Sequence, residues 1–243
     1  MKRSHRAFTL TELVVVLGVV ALLAAILLPA LAGVRRAAGR SASSSNLRTI
    51  SALIEQYASN HDQAYPFPDE SRSYPLGCGG VRIQFGHWSA AINWPMIVGA
   101  TISWEQHFGV MHSPGAARSI DQPNCGHPTS YEFSHSFIAR PELWSVSTPT
   151  LGALLRPTRT SEVRHPSRKV LMWDREATFL RQPIERSGPD IAESVPMLFV
   201  DGHVASHVPS QASEPVENPY LRGSDRGNQR LHNTRDGVLG WDY

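Results

Sequence analysis

The sequence predicts an α+β protein in which a long N-terminal membrane-spanning α-helix continues as an amphipathic stalk packed on a loop-rich head with an antiparallel β-sheet. Three observations carry that prediction. The stretch from Phe8 to Leu28 is apolar apart from Thr9, Thr11, Glu12 and Gly18, and at about 1.5 Å per residue it is long enough to cross a bilayer. Further on, Leu47, Ile50, Ile54 and Tyr57 recur at three- and four-residue spacing, one face of an amphipathic helix. The last third then holds short strand-like runs, Lys169 to Trp173 and Pro196 to Val200, the second followed by Asp201-Gly202 and by His203 to Val208.

The chain has 243 residues, is 41% hydrophobic and only 18% charged, and contains 18 Gly and 18 Pro. It can build a core, and its connections will be long and irregular. The net charge of +2 is spread without a lysine- or arginine-rich run, which argues against a nucleic-acid partner. Lys2, Arg3 and Arg6 precede the apolar stretch; removing residues 1–7 would turn the slight basic excess into a slight acidic one. Cys78 and Cys125 are the only two cysteines, each beside glycine. In an oxidising space they could form a disulfide worth about 4 kcal/mol in the chain-entropy model, and two unpaired thiols are the alternative.

Three readings fit a basic leader before an apolar segment: an uncleaved anchor, a secretory signal peptide with the small-residue site Ala30-Leu31-Ala32, and a leader cut just before the helix. Glu12 speaks against the signal peptide. A carboxylate in an apolar span costs on the order of 2.5 to 3.5 kcal/mol at mid-membrane and asks for a partner. Cleavage between Ala7 and Phe8 would create an amine four residues before Glu12. In a bundle of such helices the Glu12 of one subunit can meet the amine of its neighbour, so that each buried charge is compensated on assembly.

The run Ala7-Phe8-Thr9-Leu10-Thr11-Glu12-Leu13 resembles the cleavage and methylation motif of type IV pilins and type II secretion pseudopilins. The resemblance covers about residues 1–60. It implies a pilin-like fold, cleavage before Phe8 by a prepilin peptidase, N-methylation of Phe8, and an assembly role for Glu12 as the fifth mature residue. Pro29 falls where that family has a helix-bending proline. Ala7 departs from the usual Gly but is still small, which implies slower processing. Arg35, Arg36 and Arg40 beyond the span match the leader's basic count, so the positive-inside rule does not set the orientation. The resemblance implies residues 1–7 in the cytoplasm, a single pass through the bacterial inner membrane, and a periplasmic head.

The helix is expected over residues 8–60, ended by Asn60-His61-Asp62, with the head over 61–208. Tyr65 to Pro75 reads as a loop, and Val81, Ile83 and Phe85 alternate with Arg82 and Gln84 as in a half-buried strand. The apolar segment Ala90 to Val110 has no clear period. Asp201-Gly202 predicts a two-residue hairpin turn with positive φ at both positions. Phe199-Val200-Asp201-Gly202-His203-Val204, with His165 to Val170 and Leu171-Met172-Trp173-Asp174 before it, resembles the heads of a large family of bacterial prepilin-type proteins. The histidine that many of these carry with nine residues between it and Asp-Gly is replaced here by Ile191. Residues 209–243 read as an irregular tail, either an ordered loop ending in a packed Trp241 or a mobile segment.

No catalytic motif stands out: there is no His-Glu-x-x-His, Gly-x-Ser-x-Gly, phosphate-binding glycine loop or Cys-x-x-Cys. His203 and His207, the best histidine pair, would lie roughly 13 Å apart on a strand, and no metal ligand set can be named. No cofactor is expected, although calcium held by loop carboxylates and carbonyls, as in some pseudopilin heads, stays open. The expected function is a non-enzymatic, pilin-like or pseudopilin structural subunit of a type II secretion or type IV pilus-like system. Its partners would be the prepilin peptidase, other such subunits and an inner-membrane assembly platform. The alternative is a membrane-tethered binding or hydrolytic head that uses the leader only for export and anchorage.

Overall fold

The computed structural model describes residues 9–75, 82–99, 101–116, 129–145, 154–180, 193–224 and 227–243. The chain divides into two compact units, Met1–Ala38 and Gly39–Tyr243, and helix α1, Leu10–Ser59, contributes to both. Within the first unit, Leu, Ala and Val follow one another without a polar face. All the large apolar residues from Leu10 to Val34 are exposed, Leu13 at 53% and Leu28 at 67%. This stretch is long and apolar enough to cross a membrane. In water each such side chain forgoes about 1.5 to 3 kcal/mol of burial, so the surface calls for lipid or other apolar helices. Pro29 lies inside α1, where it lacks the N–H that would reach the carbonyl four residues earlier.

In the second unit α1 becomes amphipathic. Leu47, Ile50, Leu53, Ile54 and Tyr57 are buried on one face, while Arg48, Thr49, Glu55 and Gln56 stay exposed. The helix ends at Ser59, after which Asp62 and Gln63 adopt positive φ and the Gln63 N–H returns to the Ala58 carbonyl at 2.8 Å. Gly39 marks a close approach: a Cβ there would stand 2.4 Å from Cβ of Phe179.

The short strands β1, Tyr74–Pro75, and β2, Arg82–Ile83, pair antiparallel. The half-buried strand expected around Val81 to Phe85 thus shrinks to two paired residues among those described, and its partner comes from the segment read as a loop. Helix α2, Ala90–Val98, resolves the segment without a clear period. All nine of its residues are buried, so no polar face existed to reveal the helical repeat.

The main sheet is antiparallel, in the order β3 (Tyr131–Phe133), β4 (Val170–Asp174), β5 (Val195–Phe199) and β6 (Val204–His207). Both central strands are buried along their whole length, which explains why they read as unbroken apolar runs. Leu171, Met172 and Leu198 face a core shared with α1 and α2. Val170, Trp173, Val195, Met197 and Phe199 face a second core with Ala212 and Leu231. A register shift between Val170 and Met172 accounts for the adjacent pair Leu171 and Met172 sharing one side.

Two expectations change. The hairpin joining β5 and β6 has a three-residue connection, Val200 to Gly202. Phe199 N–H reaches the His203 carbonyl at 2.9 Å, Gly202 N–H reaches the Phe199 carbonyl at 3.0 Å, and of the Asp-Gly pair only Gly202 has positive φ, +85°. This is the turn followed by one left-handed residue that three-residue hairpins use. The segment 209–243 is part of the Gly39–Tyr243 unit rather than a separate tail. Leu231, Val238 and Asp242 are buried, and the segment covers one face of the sheet.

Candidate functional site

Glu12 sits in the first turn of α1, three residues after Thr9. The Thr9 N–H and hydroxyl both donate to Glu12 Oε2, at 2.9 and 2.7 Å, and the Glu12 N–H donates to Thr9 Oγ1 at 3.3 Å. This is a capping box, in which the first-turn donors and the carboxylate satisfy each other, and the positive end of the helix dipole adds to it. Sequence reasoning gave Glu12 only an intersubunit partner; the structure shows that the single chain already holds its carboxylate, with Oε1 outside the box. Ala7 and Phe8, the residues expected to flank the cleavage point, lie outside the described residues, as do Cys78 and Cys125.

Asp201 and Gly202 both have conformational roles. Asp201 Oδ1 accepts from the His203 N–H at 3.2 Å and contacts His203 Nδ1 at 2.5 Å. His203 stacks on Phe199 and His207 on Tyr243, each with centroids 4.3 Å apart. His207 is pushed below its ordinary value by burial and, secondarily, by nearby His203. Among the described residues, no group of three or more His, Cys, Asp or Glu is placed to hold a metal ion.

Sequence reasoning missed two buried polar clusters in the head. In the first, Lys169, wholly buried, donates to Asp242 Oδ2 at 3.0 Å, Ser136 Oγ at 3.2 Å and Thr234 Oγ1 at 2.5 Å. Asp242 also accepts from the Val170 N–H at 2.8 Å and the Thr234 hydroxyl at 2.6 Å. All three ammonium donors are used. Burial holds Lys169 below its ordinary value, against the opposing pull of Asp242.

The second cluster joins the head portion of α1 to the sheet. Asp174 Oδ2 accepts from the hydroxyls of Ser43 and Ser113 at 2.6 and 2.8 Å, and Oδ1 accepts from the Ala177 N–H at 2.7 Å. Asn46 donates to the His112 carbonyl and to the Tyr131 hydroxyl, each at 3.1 Å. Desolvation raises Asp174 from 3.8 to about 6, and it outweighs these donors. The protonated form therefore favours the fold. Its contribution is fully present below about pH 3.8 and is lost as pH rises through about 6, a difference of roughly 3 kcal/mol. Asp174→Asn should remove this dependence, because either serine hydroxyl can accept from the new amide. Thermal unfolding of both proteins from pH 4 to 7 checks it: the parent should lose roughly 2 to 3 kcal/mol relative to the variant.

Residues 2–28 match the family model described as the prokaryotic N-terminal methylation motif. The match is consistent with a type IV pilin-like or pseudopilin-like protein, and the exposed apolar helix followed by a head with antiparallel sheets is consistent with the corresponding α+β, pilin-like fold. Motif and helix together mark a single-pass, membrane-anchored chain. No curated protein and no solved structure matches the chain.

Proposed function

We propose that the chain is a pseudopilin or pilin-like structural subunit of a type II secretion or type IV pilus-like system. In this reading a prepilin peptidase cuts before Phe8, the new terminus is N-methylated, and the N-terminal helix assembles with those of other subunits on an inner-membrane platform. Residues 1–7 face the cytoplasm and the head faces the periplasm. The observation that carries the proposal is the methylation motif at residues 2–28, set on a helix whose large apolar side chains are exposed from Leu10 to Val34. A low-dielectric bundle is where a carboxylate and a neighbour's amine gain most from meeting.

Mass spectrometry of the mature N-terminus should find methyl-Phe8; a terminus at Met1 or Gly33 would sink the processing scheme. Two substitutions then separate the roles of Glu12. Glu12→Gln keeps a side chain able to complete the capping box but removes the charge, and Glu12→Ala removes both. Both variants should insert and be cleaved normally while incorporation into filaments falls by about tenfold or more, equivalent to about 1.4 kcal/mol. Normal assembly of Glu12→Gln would show that the charge has no part in it.

A further inference from the structure

Leu239 and Trp241 are the only large hydrophobic side chains exposed among the described residues of the Gly39–Tyr243 unit, at 41% and 46%. Both line one cleft of about 450 Å³, together with Glu142, Arg164, His165 and Asp236. None of the functions proposed above uses this cleft.

Its walls are fixed in advance. Trp241 precedes Asp242, which the buried bonds to Lys169, Thr234 and Val170 immobilise. The Arg168 carbonyl accepts from the N–H groups of Asp242 and Tyr243 at 2.9 and 3.3 Å. Arg168 also backs the indole with its guanidinium 4.8 Å from the ring centroid, and His165 meets the ring edge-on at 5.6 Å. Asp236, in the same lining, holds a left-handed conformation, φ 61°, with its N–H donating to the Trp144 carbonyl at 3.1 Å. The indole and the backbone that carries the Asp236 carboxylate are thus set before any ligand arrives, which lowers the entropy cost of binding.

The chemistry of the lining selects a ligand class. An indole presents a flat, electron-rich apolar face, the complement of the C–H face of a pyranose ring. Glu142, Asp236 and Arg164 add planar carboxylate and guanidinium groups, which accept from and donate to neighbouring hydroxyls in pairs. The two carboxylates are balanced by Arg164 and the adjacent Arg168, so the cleft favours no strong charge on its ligand. A few placed polar groups around an apolar platform are what small-ligand clefts use. We propose that this cleft binds an uncharged saccharide, one pyranose ring stacking on Trp241 while Glu142, Asp236 and Arg164 hold its hydroxyls.

The test is calorimetric titration of the full-length protein, in an amine-oxide detergent free of sugar headgroups, with a glucose hexasaccharide and an N-acetylglucosamine hexasaccharide. At least one should bind saturably. Trp241→Ala should weaken that binding by roughly tenfold or more, and Glu142→Gln and Arg164→Ala by roughly threefold to tenfold each. All three side chains are exposed, so the thermal transition of each variant should stay at the parent value. Glu142→Gln and Arg164→Ala keep the test decisive if Trp241→Ala disturbs the fold. Absence of binding by both sugars, or parent-like binding by all three variants, would overturn the proposal. So would binding of an apolar heptapeptide in place of the sugars.

Discussion

Asp242→Ala should destabilise the head by about 3 to 5 kcal/mol, the range expected when one member of a buried ion pair is removed and the other left behind. Lys169 would keep Ser136 and Thr234 as acceptors, at 3.2 and 2.5 Å, but would lose the one carboxylate that pairs with its ammonium among the described residues. Since Asp242 is what raises the lysine against the lowering effect of burial, its loss drives Lys169 further down. The folded state of the variant then binds fewer protons than the unfolded chain over the window below the ordinary value of 10.5. Its stability consequently rises with pH in that window. Denaturant unfolding at pH 7 and pH 10 checks this, with a smaller deficit expected at the higher pH. The double variant Lys169→Met with Asp242→Leu should recover most of the loss, because a buried pair replaced by apolar groups of similar volume is close to neutral. An equal deficit in single and double variants would mean that packing, not charge, explains the effect.

Gly237→Ala should cost about 2 to 5 kcal/mol for two separable reasons. Gly237 has φ +56°, where an L-residue is strained by about 1 to 2 kcal/mol. Its Cβ would also stand 2.4 Å from Cδ1 of Trp144, a fully buried ring with no room to withdraw, and overpacking of this kind costs about 1 to 3 kcal/mol. Gly223 provides the control, since its φ is +73° and nothing lies within 4 Å of the added carbon. Gly223→Ala should therefore show the backbone strain alone. Midpoints of chemical unfolding for the two variants would separate the contributions; equal losses would leave the Trp144 contact without effect.

What could be read from the sequence was what depends on near neighbours. The apolar span, the spacing from Phe8 to Glu12 and the amphipathic face from Leu47 to Tyr57 are local patterns, and helix α1 displays two of them directly. Strands β4 and β5 were visible because burial on both faces leaves unbroken apolar runs. The same saturation hid α2. Asp201-Gly202 signalled a hairpin, yet the dipeptide alone does not count the residues in the loop, and Val200 joined the turn. The clusters in the head had no local signal: Ser43 and Asp174 lie 131 positions apart, and Lys169 and Asp242 lie 73 apart. Lys169 was legible only as the first residue of the strand-like run to Trp173. The cleft residues Glu142, Arg164 and Trp241 likewise come together only through the fold, although Trp241 stood out as a late aromatic in a polar stretch.

The position of Asp242 in the chain sets an order of events. Synthesis delivers Lys169 long before its counter-ion, which lies 73 positions later in the sequence, and until the two meet the ammonium must remain in water. One sheet face likewise waits for Leu231 and its neighbours. Contacts of such wide sequence separation form late and slowly, so the buried pair is completed among the last contacts of the head.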